Sequence, residues 1–195
     1  KEGKTVVYLY LEDELLAIFA IADQLKSNAK EVVTQLRNQG IDVVMLTGDH
    51  KITAQAIAKQ AGIEHVIAQV LPDQKGNQVQ MLQQQGKKVA MVGDGINDAV
   101  ALMQSEVGIA IGSGSDVALE SADIVLMKDN LQDVLQAIRL SKAVIRNIHQ
   151  NLFWAFFYNS LGIPIAAGVL HLFGGPLLSP VFAGGAMALS SVCVV

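Results

Sequence analysis

Three short polar segments of this sequence carry side chains suited to handling a phosphate group. They lie at residues 47–49 (Thr-Gly-Asp), 72–75 (Pro-Asp-Gln-Lys) and 93–98 (Gly-Asp-Gly-Ile-Asn-Asp). A Thr47 hydroxyl and the amides after it can hold phosphoryl oxygens, and Gly48 lets the backbone approach closely. Lys75 can add a positive charge opposite the phosphate oxygens. These residue types indicate phosphoryl chemistry.

The third segment also suits a divalent cation. Asp94, Asn97 and Asp98 place hard oxygen atoms within five residues, and Mg²⁺ binds carboxylates, waters and phosphate oxygens. Two carboxylates this close repel each other by a few kcal/mol at intermediate effective dielectric, at a rough estimate. A bound Mg²⁺ would remove that penalty, so Asp94 and Asp98 are its predicted ligands.

Each segment also has an ordinary structural interpretation. Asp49 could cap a helix that starts near Ile52, the Gly-Asp-Gly sequence could form a plain turn, and Lys75 could be a solvated surface lysine. The order and context of the segments favour the phosphate site. Each one follows an apolar run and precedes a helical pattern.

The elements that would position these segments alternate between strand and helix patterns. Strands are predicted at 6–11, 16–22, 41–46, 66–70, 88–92, 107–111 and 124–127, and helices at 27–39, 52–61, 76–85, 97–103, 116–122 and 131–146. Such alternation predicts right-handed crossovers and an α/β fold with a mostly parallel sheet. Ligands of such sheets bind at the carboxyl ends of the strands, where the three segments fall.

The distribution of charge divides the chain into a charged part and an apolar tail. Every Lys, Arg, Asp and Glu lies at or before Arg146, and the net charge is −4. An acidic balance gives no basic surface for nucleic acid, so no nucleic-acid partner is expected. The last 49 residues carry no formally charged side chain, which predicts two transmembrane helices at about 152–173 and 177–195, in contact with membrane lipid. A buried helical hairpin of a soluble protein is the alternative.

The amino-acid sequences of these motifs resemble those of a known family. The haloacid-dehalogenase-like phosphoryl-transfer domain, in the form found in heavy-metal P-type ATPases, is similar to this chain at four places over essentially its whole length. The matching segments are 45–49 (Met-Leu-Thr-Gly-Asp), 72–75, 91–99 (Met-Val-Gly-Asp-Gly-Ile-Asn-Asp-Ala) and 109–112 followed by 116–118. The resemblance implies ATP and Mg²⁺ as cofactors and a sheet with helices on both faces. It also implies roles for the site residues: phosphoryl contact by Thr47 and Lys75, Mg²⁺ binding by Asp94, support from Asn97 and Asp98, and proximity of Asp49 to nucleotide and phosphate.

Parts of the family pattern are absent from this sequence. The Asp-Lys-Thr-Gly-Thr segment that carries the phosphorylated aspartate does not occur, nor does the Thr-Gly-Glu loop used in dephosphorylation. We expect an incomplete fold that is part of a longer protein and inactive alone. The predicted domains are 1–13, the end of a nucleotide-binding domain; 14–146, part of the phosphorylation domain; and 147–195, the two membrane helices.

The apolar tail contains polar and thioether side chains that indicate an ion path. Met187, Ser190 and Ser191 share one face of the second predicted helix, and counting 1.5 Å per residue puts Asn159 at nearly the depth of Ser190. Packing alone could explain a methionine, and serines often bond back to their own helix. Together with Tyr158, however, these residues resemble the last two helices of Cu(I)-transporting ATPases. A thioether suits soft Cu(I), and the Cys-Pro-Cys thiolates of the family are absent.

The sequence therefore predicts part of an ATP-driven Cu(I) export pump. Its expected partners are the actuator domain, the nucleotide-binding domain and the other membrane helices of the same ATPase, with a copper chaperone as a further one. Basic residues before the tail predict a multi-pass protein of the plasma or inner membrane whose soluble domain is cytoplasmic. The alternatives are a pump for Zn, Ag or Cd, a membrane-tethered non-catalytic remnant, and a soluble-type phosphatase.

Overall fold

The computed structural model describes residues 5–21, 24–94, 97–112, 116–175 and 184–185. The chain forms two compact units, residues 1–136 and residues 137–195. The first unit contains all seven strands of the described chain and the three segments of the predicted phosphate site.

The chain begins with an antiparallel hairpin. Strand β1 (Thr5–Leu11) pairs with β2 (Glu14–Ile21), and a two-residue turn joins them. Glu12 in that turn has a φ of 52°, a left-handed conformation that tight hairpin turns require. Large apolar side chains are exposed on both faces, including Phe19 at 52% and Tyr10 at 57%. The two predicted strands are confirmed, and the predicted domain boundary between residues 13 and 14 falls at this turn.

A first parallel pair of strands follows the hairpin. After α1 (Ala29–Asn38), strand β3 (Val44–Leu46) pairs with β4 (His65–Ile67), and α2 (Lys51–Ala61) connects them. The helices are held by small and β-branched side chains, and the most buried of these are Ala29, Val32, Val33, Ala54, Ala58 and Ala61. Helix α2 ends at Gly62, whose φ of 76° is the left-handed conformation typical of a helix terminus.

The second parallel sheet has three strands. Strand β6 (Val107–Ile111) lies between β5 (Ala90–Gly93) and β7 (Ile124–Leu126). Its last four residues are buried, as expected for a central strand. Three helices belong to this part of the unit: α3 (Lys75–Gln84), α4 (Ala99–Gln104) and α5 (Asp116–Ser121). Leu102 and Leu135 are its most deeply buried large side chains.

The parallel pairing predicted from the sequence is confirmed, but the sheet is in two pieces. Within the described ranges, β3 pairs only with β4, and β5 pairs only with β6. Each of these strands therefore has hydrogen-bonding groups along one side that no neighbouring strand of the described chain satisfies. The loop of Thr47 follows β3 and that of Asp94 follows β5, so both segments lie at the carboxyl ends of the strands.

The second unit is dominated by one long helix. Helix α6 (Gln132–Ala166) has 35 residues and starts within the first unit; α7 (Val169–Leu172) follows it. The predicted helix at 131–146 and the predicted span from residue 152 are thus one continuous element up to Ala166. Among the residues that the structure describes, no helix has the length and apolar character needed to cross a membrane. The expected span at 152–173 is therefore not confirmed, and the expected span at 177–195 lies outside the described residues apart from 184–185.

Candidate phosphate-binding site

The best-defined contact among the predicted site residues is an ion pair between Lys75 and Asp98. The Lys75 Nζ atom donates to Asp98 Oδ1 at 2.6 Å, and each side chain is only 13% exposed. Because little water surrounds the pair, its electrostatic attraction is stronger than that of a surface ion pair. The structure thus places a shielded lysine next to a carboxylate instead of leaving it at the surface.

Local packing brings Lys75 and Asp98 together. Lys75 is the first residue of α3, after a 3₁₀ turn at Pro72–Gln74, and Asp98 directly precedes α4. The starts of these helices touch at Gly76, where a Cβ atom would lie 2.9 Å from Val100 Cγ1. A glycine there allows the close approach that joins the charged side chains.

Gly93, the last residue of β5, leaves room for the Asp98 side chain to pack against the end of the strand. A Cβ atom on Gly93 would lie 2.8 Å from the Cβ of Asp98 and closer still to its Oδ2 atom. Real Cβ atoms essentially never approach other atoms this closely, so any side chain at residue 93 would displace Asp98. The carboxylate is therefore fixed on one side by the β5 backbone and on the other by Lys75.

The Thr47 loop is held by its own hydrogen bonds and by the return of the chain. Thr47 Oγ1 donates to Asp49 Oδ2 at 2.9 Å and accepts from the Asp49 amide at 3.1 Å. The Gln69 amide donates to the Asp49 carbonyl, and the Val70 amide donates to the Thr47 carbonyl. Helix α2 has His50 at its N-cap and no side-chain cap hydrogen bond. Asp49 is therefore engaged with Thr47, and the alternative in which it caps this helix is not observed.

The remaining predicted residues follow β5. Asp94 and Asn97 are exposed, and the intervening residues 95 and 96 lie outside the described chain. Thr47 and Asp49 form one pair and Lys75 and Asp98 another; in the described ranges no hydrogen bond or ion pair links the two pairs.

The available oxygen atoms fit a Mg²⁺ ion that shares its coordination with phosphate. The described residues contain no group of three or more His, Cys, Asp or Glu side chains placed to hold a metal. Mg²⁺ does not need such a cage, because it commonly uses one or two carboxylates together with waters and substrate phosphates. Asp94, an exposed residue, and Asp98, whose Oδ1 accepts from Lys75, are the carboxylates that would contact the ion.

The predicted ion-path residues are only partly described. Asn159 Nδ2 donates to the Ala155 carbonyl at 2.9 Å, one turn earlier in α6, and Tyr158 stacks near Trp154 with ring centroids 5.9 Å apart. Both contacts lie within the helix itself. Met187, Ser190 and Ser191 lie outside the described residues.

Sequence reasoning missed the Lys75–Asp98 pair, because it assigned Asp98 to the metal and Lys75 to the phosphate. A signal for the pair does exist in the sequence. Both residues stand at the start of a helix, and small residues follow each of them, Gly76 after the lysine and Ala99 after the aspartate. Such residues allow two helix ends to approach closely.

Comparison with known proteins identifies the family to which the chain belongs. Residues 1–105 match a family model described as haloacid dehalogenase-like hydrolase, and residues 73–138 match a second model of the same description. The chain is 56% identical over 195 residues to the "Probable copper-transporting ATPase PacS" of Synechocystis, and 55% identical over 193 residues to the "Copper-exporting P-type ATPase" of Staphylococcus epidermidis. These alignments cover 100% and 99% of the chain but 26% and 23% of the relatives.

A solved structure resembles the chain as a whole. The crystal structure of a zinc-transporting PIB-type ATPase in the E2.Pi state covers 99% of the chain with a TM-score of 0.82 and 36% identity, and the match spans 31% of that protein. The chain thus spans about a quarter to a third of these larger proteins. It belongs to the haloacid dehalogenase-like hydrolase family, and along nearly its whole length it is similar to P-type ATPases that transport copper.

Proposed function

We propose that this chain is the part of an ATP-driven Cu(I) export pump that surrounds the transferred phosphoryl group and continues along the sequence into the ion path. The observation that carries the proposal is the Lys75–Asp98 pair, 13% exposed and located beside the carboxyl end of β5. A shielded lysine held at a strand end is suited to a multiply charged phosphoryl group, because positioning and charge neutralisation dominate this chemistry. The similarity to copper-transporting P-type ATPases supports the same reaction class.

Each site residue has a distinct part in this mechanism. Thr47 and the Gly48 amide hold phosphoryl oxygens, and Asp49 orients the Thr47 hydroxyl through the 2.9 Å bond between them. Lys75 neutralises charge on the phosphoryl group, while Asp98 keeps its ammonium group in place. Asp94 would hold Mg²⁺, with support from Asn97 and the second oxygen of Asp98, and the ion would supply further positive charge opposite the phosphate oxygens.

The phosphorylated aspartate would come from a strand outside this chain. Strands β3 and β5 each have one side that no described strand pairs with, and both end in site residues. A parallel strand inserted between them would satisfy both sides and carry an aspartate at its carboxyl end to the level of Thr47 and Asp94. We therefore infer that the chain alone has no ATPase activity and gains it only with the rest of the ATPase.

The tail of the chain would supply part of the copper path. We infer two membrane helices at about 152–173 and 177–195 from the absence of charge after Arg146. Their copper path would include Tyr158, Asn159, Met187, Ser190 and Ser191, with the Met187 thioether as the soft ligand. Membrane lipid, the remaining domains and a copper chaperone would be the partners, and the first unit would face the cytoplasm.

The test uses the full-length ATPase that contains this chain, purified and returned to lipid. Lys75→Met should abolish phosphoenzyme formation from ATP, because the group that offsets phosphoryl charge is removed. Lys87→Met is the matched control, since Lys87 is 49% exposed and its carboxylate partner, Asp42, lies 3.5 Å away at the surface. Phosphorylation of the Lys75 variant at the level of the control would contradict the proposed site.

The transported ion requires a separate measurement. Cu(I) should stimulate ATP hydrolysis, and inside-out vesicles should accumulate copper when ATP is added, as expected for an exporter. A pump for another heavy metal is the second candidate, favoured by the similarity to the zinc-transporting structure. Stimulation by Zn²⁺ and not by Cu(I) would select that candidate. If no metal stimulated hydrolysis, a non-catalytic membrane-tethered protein would remain.

A further inference from the structure

A pair of asparagines joins two segments of the first unit that are about a hundred residues apart in sequence. Asn28 Nδ2 donates to Asn130 Oδ1 at 2.6 Å, and both side chains are partly buried. The same Asn130 oxygen accepts a 3.0 Å hydrogen bond from the Gln132 amide, at the start of α6. One oxygen atom thus connects the segment before α1 with the first residue of the longest helix.

A charged pair lies directly beside this contact. The Lys26 ammonium group is paired with the Asp129 carboxylate. Their side chains are 43% and 69% exposed, so solvent screens the attraction and the pair adds orientation more than stability. We call Lys26, Asn28, Asp129 and Asn130 the clasp.

The position of Asn28 makes the contact informative. Asn28 occupies the N-cap of α1, where an asparagine side chain ordinarily accepts a hydrogen bond from its own helix. Here it makes no side-chain cap hydrogen bond, and its amide group reaches Asn130 instead. The Asn28 side chain therefore does not cap α1 but connects it, through Asn130, to the start of α6.

The two ends of the clasp belong to different elements of the fold. On one side, residues 24–28 follow the β1–β2 hairpin and lead into α1, whose first residue, Ala29, is 3% exposed. On the other side, the first turn of α6 is anchored in the core by Val134 and Leu135, which are 4% and 0% exposed. From there α6 continues to Ala166, beyond the first unit.

We propose that the clasp is a coupling joint, in which Asn28 and Asn130 act as positioning residues that link displacement of the hairpin segment to the start of α6. This inference rests on the proposed pump, because such a pump must connect phosphoryl transfer in one domain with movement along the ion path. Along the sequence, α6 begins in the first unit and continues through Tyr158 and Asn159, two residues of the proposed copper path. Within the described residues, the hydrogen bonds and the ion pair of the clasp involve none of Thr47, Asp49, Lys75 and Asp98.

The chain offers variants that separate this role from simple stability. Asn28→Ser should retain or improve the cap of α1, because serine is a good N-cap residue, but its side chain is too short to reach Asn130. Asn130→Asp is the matched control, since a carboxylate oxygen can still accept from both the Asn28 amide group and the Gln132 amide. Asp129→Asn removes the exposed ion pair without threatening the fold.

The experiment compares these variants in the full-length ATPase in lipid vesicles. Asn28→Ser should leave the rate of phosphoenzyme formation from ATP within about twofold and slow Cu(I) transport by about two- to tenfold, the range expected for one net hydrogen bond. Hydrogen exchange of residues 131–137 should rise by a similar factor. Asp129→Asn should act in the same direction with a smaller effect, and Asn130→Asp should behave as the unmodified protein.

Several outcomes would overturn the coupling joint. Unchanged exchange at 131–137 in Asn28→Ser would show that the contact does not hold α6. Faster exchange with transport and phosphorylation unchanged, or reduced by the same factor, would make the clasp a stability feature only. If the unmodified protein formed no phosphoenzyme, the proposed function would fail, whereas the exchange measurement would still decide whether Asn28 and Asn130 are joined.

Discussion

Asp98 packs directly against Gly93, in space that a side chain at residue 93 would occupy. Replacing Gly93 by alanine would put a Cβ atom 2.8 Å from the Cβ of Asp98 and force the carboxylate away from Lys75. We expect Gly93→Ala to reduce the free energy of unfolding by about 1–3 kcal/mol, as overpacking does, and to lower phosphoenzyme formation at least tenfold. Thermal unfolding and phosphorylation assays on the full-length protein measure the two effects.

Gly162→Ala is the control for that substitution. A Cβ atom at Gly162, inside α6, would meet nothing within 4 Å in the part of the chain that the structure describes. Alanine is favoured over glycine in helices, so stability should be unchanged or slightly higher. If Gly93→Ala matched this control in both assays, the close contact with Asp98 would not determine the site.

Glu106 provides a pH-dependent contact at the edge of the second sheet. Its carboxylate accepts a 2.7 Å hydrogen bond from the Val89 amide, and this bond, followed by one with Gln83, holds the pKa of Glu106 below its usual range. A lowered folded-state pKa stabilises the protein above the unfolded-state pKa, and that stabilisation is lost as the pH falls through the folded-state value.

In Glu106→Gln the amide oxygen can still accept from Val89, but the group no longer titrates. We expect a slightly lower free energy of unfolding at neutral pH and a smaller loss of stability between pH 5 and the acid range, at about the pH where carboxylates titrate. Denaturant unfolding at several pH values measures this. An acid-induced loss as steep as in the unmodified protein would assign the effect to other carboxylates.

At this scale the sequence identifies which residues act but not how they pair. Thr47, Lys75 and Asp94 can be selected because their types suit phosphate and Mg²⁺ and because they follow predicted strands. The ion pair between Lys75 and Asp98 depends on the approach of two helix ends, which the contact of Gly76 with Val100 permits. The small residues after Lys75 and Asp98 permit that approach but do not specify which helix ends meet, so the pairing requires the structure.

Among the elements, α4 and β6 are packed so closely that glycine is required between them. A Cβ atom on Gly108 would lie 2.8 Å from the Leu102 carbonyl oxygen and 3.2 Å from its carbonyl carbon. The backbone cannot give way as a flexible side chain can. We expect Gly108→Ala to push α4 away from the sheet and lower the free energy of unfolding by about 1–3 kcal/mol.

Gly48→Ala is the stability control for this change. Its Cβ atom would lie 3.4 Å from the Val70 carbonyl oxygen, an ordinary contact. Chemical denaturation should therefore show a clear loss for Gly108→Ala and little change for Gly48→Ala. Equal losses would mean that removing any glycine of the unit is harmful, whatever the packing around it.

Element types were predictable from apolar periodicity, whereas their ends depended on local conformation. The predicted strand at 66–70 is shorter in the structure, where β4 is His65–Ile67. Gln69 adopts a left-handed φ of 60°, which ends the extended chain so that its amide can bond to Asp49. The helix predicted at 131–146 extends further in the structure, where α6 continues through the change from charged to apolar sequence to Ala166.

At the scale of the whole molecule, the division into two parallel sheets predicts how fast amides on the open sides of β3 and β5 exchange. Inserting a strand between β3 and β5 would give hydrogen-bond partners to backbone groups that face away from β4 and β6. In the full-length ATPase, amides of residues 44–46 and 90–93 that face the inserted strand should exchange slowly. In this chain alone the same amides should exchange much faster, which hydrogen exchange measured residue by residue can detect. Equal exchange in both proteins would exclude a strand at this position.

The sequence predicts parallel pairing and could not predict that the sheet would lie in two pieces. Apolar β-branched runs such as those of β3 and β5 indicate strands, but nothing in a run specifies which neighbour it pairs with. That choice depends on partners distant along the chain. Here the absent Asp-Lys-Thr-Gly-Thr segment was the only sequence signal that a strand was missing.

The open sides of β3 and β5 also bear on how such an enzyme could be assembled from parts. A strand edge without a partner accepts any compatible extended peptide, including that of another copy, and is therefore an aggregation hazard. The same property would let the inserted strand and this chain be supplied as two polypeptides. Backbone hydrogen bonds from β3 and β5 would help to join them, and ATPase activity would report on their association.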